Sequence, residues 1–271
     1  MLVSVIVPTY KPSGYIYECP ESLLKQTLDK SLFEILIVLN GCKEPFFENI
    51  KRYVEKDKDK PLVRIIQTDV AGVSNARNLG MHKAHGDFIA FIDDDDWVSP
   101  NYLRNLVQGL GKCDLAISNV LQVEDVTNNR LPHYLTNAYR KCCGLNRLTF
   151  FNARSFLSSS CAKLIPRNVI RGDMFVSKYA LGEDSLFMFK ISKRVNNMRL
   201  ASSDTIYYVR KRASSVSHKS YPYFFRVKLA LSLTCSYLKI YLSDPFRYDF
   251  MLFMTRIAAT MRKLFQKGYS A

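Results

Sequence analysis

The 271-residue chain has no low-complexity block and no internal repeat, which excludes a solenoid and a chain that stays disordered. It has no CxxC pair, the commonest mark of a structural zinc site. Its seven cysteines (Cys19, Cys42, Cys113, Cys142, Cys143, Cys161 and Cys235) are odd in number and scattered, with Cys142 and Cys143 adjacent. That is no disulfide framework, and it predicts a reducing compartment with mostly buried thiols. The start, Met1 to Pro8, lacks a basic leader region and is too short for a signal peptide, so a cytoplasmic protein is expected. The apolar stretch from Tyr223 is interrupted by Lys228 and Lys239 and falls short of the ~20 residues that span a bilayer. No Gly-rich or basic phosphate loop follows the first apolar run, because Pro8-Thr9-Tyr10-Lys11-Pro12-Ser13-Gly14 is not one.

What is present is 48% hydrophobic residues, enough for one large domain or one domain with an appendage. The net charge is +15 and unevenly spread. From Thr205 to Ala271 there are 12 basic residues against only Asp244 and Asp249. Such a tail favours an anionic partner: a membrane surface, a diphosphate or nucleic acid.

The first part alternates strand and helix signals. Strands are expected at Val3 to Val7, Glu34 to Leu39, Val63 to Gln67 and Phe88 to Ile92. Helices are expected at Glu21 to Leu28, Glu44 to Lys56 and Ser74 to Ala84, the last with Ser74 as cap. The pattern predicts an α/β fold with a mostly parallel central sheet covered by helices on both faces. Ligands of such sheets sit beyond the carboxyl ends of the strands, where Asn40 and the run Asp93-Asp94-Asp95-Asp96 both fall. Four like charges directly after a buried strand repel one another. They are either a solvated acidic turn or the seat of a hard divalent cation, Mg²⁺ or Mn²⁺. Without a cation, that turn would repel a phosphate backbone, which argues against nucleic acid as partner.

Three segments resemble glycosyltransferase family 2. Val3-Ser4-Val5-Ile6-Val7-Pro8-Thr9-Tyr10 is similar to its opening strand. Gly72-Val73-Ser74-Asn75-Ala76-Arg77-Asn78-Leu79-Gly80 is similar to its G-x-x-x-A-R-N-x-G helix start. Gly86 to Trp97 is similar to its G-x-x-I-x-F-x-D-x-D-D block. The likeness is clearest from Leu2 to about Leu106. It continues more weakly through Cys161 to Ile165 and Gly182 to Phe187, and covers little beyond Lys219.

The resemblance implies a GT-A fold and an inverting, metal-dependent sugar transfer. Residues 1–219 would be the catalytic domain, with a nucleotide-sugar half at 1–112 and an acceptor half at 113–219. Pro8, Thr9 and Tyr10 would line the nucleoside pocket, and Arg77 would lie near the base or diphosphate. Asp95 would contact the metal directly and Asp93 the ribose or the metal's outer shell, with Asp94 in the same donor-binding turn. After its second strand the family usually carries an acidic pair, whereas this chain has Leu39-Asn40-Gly41-Cys42. Asn40 can accept and donate toward a uracil ring, or Asn40-Gly41 is a plain turn. A UDP-sugar is the favoured donor. Glu183-Asp184 at a helix start can be simple dipole compensation; by resemblance Asp184 is the general base, with Glu183 beside it. The basic segment Arg210-Lys211-Arg212 with Ser214, Ser217 and His218 is similar to the family's Y-x-R…S loop. Arg212 would face the diphosphate and His218 would complete the metal site, or the segment is a solvated basic loop.

Residues 220–271 form a basic helical extension broken at Pro245. Phe250, Phe253, Ile257, Met261 and Leu264 fall at helical spacing, with Arg256, Arg262, Lys263 and Lys267 elsewhere around the wheel. Such a helix lies in a membrane interface or packs on the catalytic domain. A membrane role suits a lipid-linked saccharide acceptor in bacterial surface polysaccharide synthesis. The place of action is then the cytoplasm, peripherally on the inner face of the membrane. The rival readings are a metal-dependent nucleotidyltransferase and a non-catalytic basic protein that binds membrane or nucleic acid.

Overall fold

A computed structural model describes residues 2–110, 114–125, 127–211 and 221–265, with the side chains of residues 263 and 265 left aside. Strand β1 (Val3–Thr9) lies between β2 (Phe33–Asn40) and β4 (Phe88–Phe91), parallel to both, and β3 (Leu62–Thr68) continues the sheet beyond β2. Helices α1 (Glu18–Leu24), α2 (Phe46–Val54) and α3 (Val73–Lys83) connect these strands. β1 and β2 are buried along their whole length, as runs covered on both faces must be, and are correspondingly rich in Val, Ile and Leu. Their polar members are satisfied: Ser4 Oγ donates to Glu34 Oε1 at 2.7 Å, and the His85 N–H donates to the same oxygen at 2.6 Å. β4 pairs with β1 only as far as Ile6, so Pro8 lies past that ladder, where a missing N–H is harmless.

After the acidic turn come β5 (Trp97–Val98), α4 (Tyr102–Leu110), β6 (Leu115–Ile117), β7 (Asn119–Glu124), β8 (Arg130–Pro132), α5 (Tyr134–Cys142) and α6 (Phe150–Ala153). Then follow β9 (Lys163–Pro166), α7 (Arg167–Ile170), α8 (Glu183–Ser192), β10 (Met198–Leu200) and β11 (Ile206–Lys211). The main sheet has seven strands in the order β10-β6-β9-β4-β1-β2-β3. Only β9 runs against the rest. All four strands of a second sheet, β5-β11-β7-β8, follow the acidic turn in sequence. The expected mostly parallel α/β architecture is therefore present.

Helices α9 (Tyr223–Ser243) and α10 (Phe250–Phe265) pack on one another and on α8. Tyr237 Oη lies 2.7 Å from Ser185 Oγ, and Tyr248 Oη donates to the Lys190 carbonyl at 3.1 Å. Leu233, Tyr237, Tyr248, Leu252 and Phe253 are buried there, each worth roughly 1.5–3 kcal/mol against exposure, so this inner face belongs to the protein interior. Gly182, at φ +86°, caps α8 where an added Cβ would come within 2.9 Å of Leu233 in α9, so a side chain is excluded by both backbone and contact. No helix among the described residues is long and apolar enough to cross a membrane.

Three expectations change. Gly72, at φ +121°, caps α3, while Ser74 is buried inside the helix and its Oγ has no partner. Arg256 is buried rather than on a solvated basic flank. Of the six described cysteines, Cys19, Cys142 and Cys161 are buried, Cys42 is half-buried, and Cys143 and Cys235 are exposed; all six are free.

Candidate active site

The carboxyl ends of β1, β2 and β4 meet at one edge and bring Thr9, Asn40 and Asp93 together. Pro8 and Thr9 are buried in the strand end, while Tyr10 is half exposed, with the Lys11 ammonium 5.5 Å from its ring centre. Asn40 is buried and bonded on both sides: its Nδ2 donates to the Thr9 carbonyl at 2.7 Å, and its Oδ1 accepts from the Gly72 N–H at 2.8 Å. The carboxamide thus ties β1, β2 and the start of α3 into one cradle. Gly41, at φ +65°, follows it closely packed on Ala71, where a Cβ would meet the Ala71 Cβ at 2.6 Å.

Arg77 projects from α3 and is almost fully buried. Its Nη2 donates to Asp93 Oδ1 at 2.9 Å, and its Nη1 donates to Asp184 Oδ1 at 2.6 Å and reaches Glu183 Oε1 at 3.4 Å. Burial works against its charge, but the carboxylates of Asp184 and Asp93 more than offset this and hold it ionised. One guanidinium therefore joins the acidic turn after β4 to the acidic pair at the start of α8. Asn78, next in the helix, exchanges two hydrogen bonds with the backbone of Phe175, at 3.0 and 2.8 Å, fixing the segment that leads into α8. The A-R-N triplet thus joins three parts of the chain.

Asp184 receives a second bond, from Ser160 Oγ at 2.9 Å, on the same Oδ1. Neither bond engages Oδ2. Ser160 lies just before β9, whose reversed direction brings the chain back to this edge. Lys163, fully buried, donates to the Ser159 and Cys161 carbonyls, both at 2.6 Å, and so clamps the turn that carries Ser160. Burial lowers its ammonium to about 8. Glu183 is pushed up to about 7, first by burial and then by the charge of Asp184, with Arg77 opposing.

The acidic turn is held from the second sheet. The Arg210 N–H donates to Asp96 Oδ1 at 2.9 Å, and Arg210 Nε donates to the Asp95 carbonyl at 3.0 Å. Its other guanidinium nitrogens pair with Asp125 at 2.5 Å and Glu18 at 2.7 Å, and the group lies over Trp97. The Asp93 N–H donates to Tyr207 Oη at 3.1 Å. Asp96 is buried, and burial followed by the charges of Asp95 and Asp93 raises its carboxyl well above the usual range. Asp93, Asp94 and Asp95 stay half exposed. Among the described residues no three His, Cys, Asp or Glu side chains form a closed metal cage. Hard, half-solvated carboxylates of this kind suit a cation that completes its shell with phosphate oxygens and water. Arg212 and His218 lie outside the described residues.

Sequence reasoning missed Ser160, Lys163, Asp96 and the clamping role of Arg210. Ser160 carries no local signal and Lys163 stood only within the weakly similar stretch Cys161 to Ile165, since their importance comes from the reversal of β9. Asp96 and Arg210 were visible only as members of the acidic run and of a basic triplet.

A mostly parallel sheet with a clamped acidic turn after its fourth strand and a second acid facing it is the GT-A type of sugar-nucleotide fold. Residues 4–171, more than half of the chain, match the family model "Glycosyl transferase family 2", and the chain belongs to that family. Poly(ribitol-phosphate) beta-N-acetylglucosaminyltransferase TarS of Staphylococcus aureus is 26% identical over 225 residues, 82% of this chain and 38% of the relative. Putative glycosyltransferase EpsH of Bacillus subtilis is 32% identical over 139 residues, 51% of this chain and 39% of the relative. The chain thus spans under two fifths of the length of these two relatives. The crystal structure of S. aureus TarS 1-349 in complex with UDP-GlcNAc superimposes with a TM-score of 0.70 at 25% identity, over 88% of this chain and 67% of that one. A Pyrobaculum calidifontis mannosyltransferase in complex with GDP-Man and Mn²⁺ shares the fold, with a TM-score of 0.64 at 17% identity over 97% of this chain and 69% of that one.

Proposed function

We propose that the chain transfers a sugar from a UDP-sugar to an acceptor hydroxyl in a single displacement that inverts the anomeric carbon. The observation that carries this reading is the placement of Arg77, which holds Asp93 of the donor-side turn and Asp184 of the acceptor side at once. Asp184 is the general base. Its Oδ1 is fixed by Arg77 and Ser160, so its Oδ2 takes the proton as the acceptor oxygen attacks. Glu183, adjacent and largely buried, orients the pair. Thr9, Tyr10 and the Asn40 cradle receive the nucleoside, with Asn40 acting through the backbone it holds. Mg²⁺ or Mn²⁺, held by Asp95 with Asp93 and Asp94 beside it, supplies charge neutralisation for the departing diphosphate when bound.

The UDP reading is supported by the TarS complex with UDP-GlcNAc. TarS, named for a poly(ribitol-phosphate) acceptor, supports a cell-surface glycan or lipid-linked saccharide as acceptor here. The outward side of α9 suits peripheral binding at an anionic membrane: Phe224, Leu231, Leu238 and Leu242 are exposed at helical spacing with Lys228 and Lys239 among them.

A panel of nucleotide-sugars with Mn²⁺ tests the proposal. Asp184→Asn is expected to keep UDP binding and lose about 10²–10⁴ in turnover, whereas Asp95→Ala loses donor affinity and metal dependence together. Undiminished transfer by Asp184→Asn would remove that residue from the chemistry, and release of pyrophosphate instead of UDP would replace sugar transfer by nucleotidyl transfer.

A further inference from the structure

Asp184 stands in the first turn of α8, and that turn has no side-chain cap, because Gly182 occupies the capping position. The first N–H groups of a helix have no partner within it, so an uncapped start frays unless other parts of the protein hold it. Three residues of this turn are held, each from elsewhere. Glu183 and Asp184 take Arg77 of α3, and Asp184 takes Ser160 ahead of β9. Ser185 is held from α9. Its Oγ donates to the Gly182 carbonyl at 3.1 Å and lies 2.7 Å from Tyr237 Oη, so Tyr237 is the donor in that second bond.

Helix α9 meets the approach to the same turn at two further points. Tyr179 Oη lies 2.8 Å from both the carbonyl and the Oγ of Ser232, and 2.7 Å from Ser236 Oγ. Leu233 is so close to Gly182 that an added Cβ would come within 2.9 Å of it. Tyr179 and Leu233 are 4% exposed and Tyr237 1%, so little water competes for these contacts. Ser232, Leu233, Ser236 and Tyr237 share one side of α9, at i, i+1, i+4 and i+5. Their partners run from Tyr179 to Ser185, and Asp184 falls inside that span. All of these contacts lie outside residues 4–171, the part that matches the family model.

We propose that Tyr237 and Tyr179 are positioning residues for the base: they fix the first turn of α8 on α9, and with it the angle at which Asp184 Oδ2 meets the acceptor. The proposal rests on the reading of Asp184 as that base. Arg77 and Ser160 both engage Oδ1, which leaves the carboxylate able to swing about that atom. The swing is limited by the backbone turn that carries the side chain, and α9 holds that turn through Ser185. Helix α9 is thus part of the catalytic unit, which does not end at residue 219.

The test uses the full chain, Mn²⁺ and a UDP-sugar that the wild type turns over. Tyr237→Phe and Ser185→Ala each remove one side of the same contact. Each is expected to lower kcat about tenfold, within the loss of about 10² that a misplacement of about 1 Å can cause. Donor KM and UDP affinity are expected to stay as in the wild type. The double variant is expected to lose no more than either single one, as the two halves of one contact do. Tyr179→Phe, on the neighbouring contact, is expected to lower kcat likewise. In Asp184→Asn the residual rate is expected to be the same with and without Tyr237→Phe, because the phenol acts only through that carboxylate. Undiminished kcat in Tyr237→Phe and Ser185→Ala would overturn the role of Tyr237, and undiminished kcat in Tyr179→Phe that of Tyr179. A donor KM that rises in step with the fall in kcat would mean a general loosening of the fold and would overturn both, as would a further loss in the Asp184→Asn background. Ser185→Ala serves if Tyr237→Phe does not fold. Failure of the underlying reading shows separately, as full turnover by Asp184→Asn or as no turnover of any UDP-sugar by the wild type, and either result would remove this proposal with it.

Discussion

A guanidinium with three carboxylates around it and almost no water has no alternative partners once one side is cut away. Replacing Arg77 by Met would leave Asp93, Glu183 and Asp184 facing one another, and breaking a buried ion pair from one side costs about 3–5 kcal/mol. Urea unfolding should show that loss. Arg77→Lys should recover little of it, since a point charge cannot reach both sides as a planar fork does; full recovery by Lys would mean that charge alone matters. Glu183 gives a pH signature. Its carboxyl is raised from 4.5 to about 7 by burial and then by Asp184. A raised carboxyl favours the fold while it is protonated, so this contribution is complete below about 4.5 and is lost as pH rises through about 7. Glu183→Gln should flatten the decline in stability across that window. An unchanged slope in the Gln variant would assign the decline to another group.

Strands β1, β2 and β4 were legible because each is buried on both faces or nearly so, and a buried strand has to be a run of Val, Ile, Leu and Phe; β3, the half-buried edge strand, was legible from Val63, Ile65 and Ile66 alone. The acidic turn was legible because four aspartates have no packing purpose. The middle of the chain was not. β6, β9 and β10 are three or four residues long, too short for a period, and their partners rather than their own pattern make them strands. Nothing local announces that β9 runs backwards, so the roles of Ser160 and Lys163 stayed hidden. Helix α9 was readable as a helical apolar stretch broken by Lys228 and Lys239, but not which side faces in: Ala230, Leu233 and Tyr237 are buried, and Phe224, Leu231, Leu238 and Leu242 are not. That outward stripe should carry the chain to the top of a density gradient with anionic vesicles and not with neutral ones. Leu238→Asp with Leu242→Asp should abolish flotation. A wild type that stays at the bottom and runs as a dimer would assign the stripe to a second copy of the chain.

Across the whole molecule, the main sheet is made continuous by a single reversed strand, which joins β10 and β6 to β4, β1, β2 and β3. β9 is held between β4, through Ile89 and Ile165, and β6, through Ala116 and Leu164. Those partners are far apart in the sequence, whereas β1, β2 and β3 follow one another with one crossover each. Closing the longer excursion costs more chain entropy before any contact rewards it. The order of assembly follows. The side built from β1 to β3 can condense early, and Ser160 and its partner Asp184 reach their places only when β9 is threaded into the sheet. Pulse-labelled hydrogen exchange during refolding should find the amides of Ile35 and Ile37 protected before those of Leu164 and Ile165, and simultaneous protection would refute that order. On the proposed function, a newly made chain would then bind a nucleotide before it is able to catalyse anything, and a defect in the β9 seam would leave a protein that holds its donor yet stays inert.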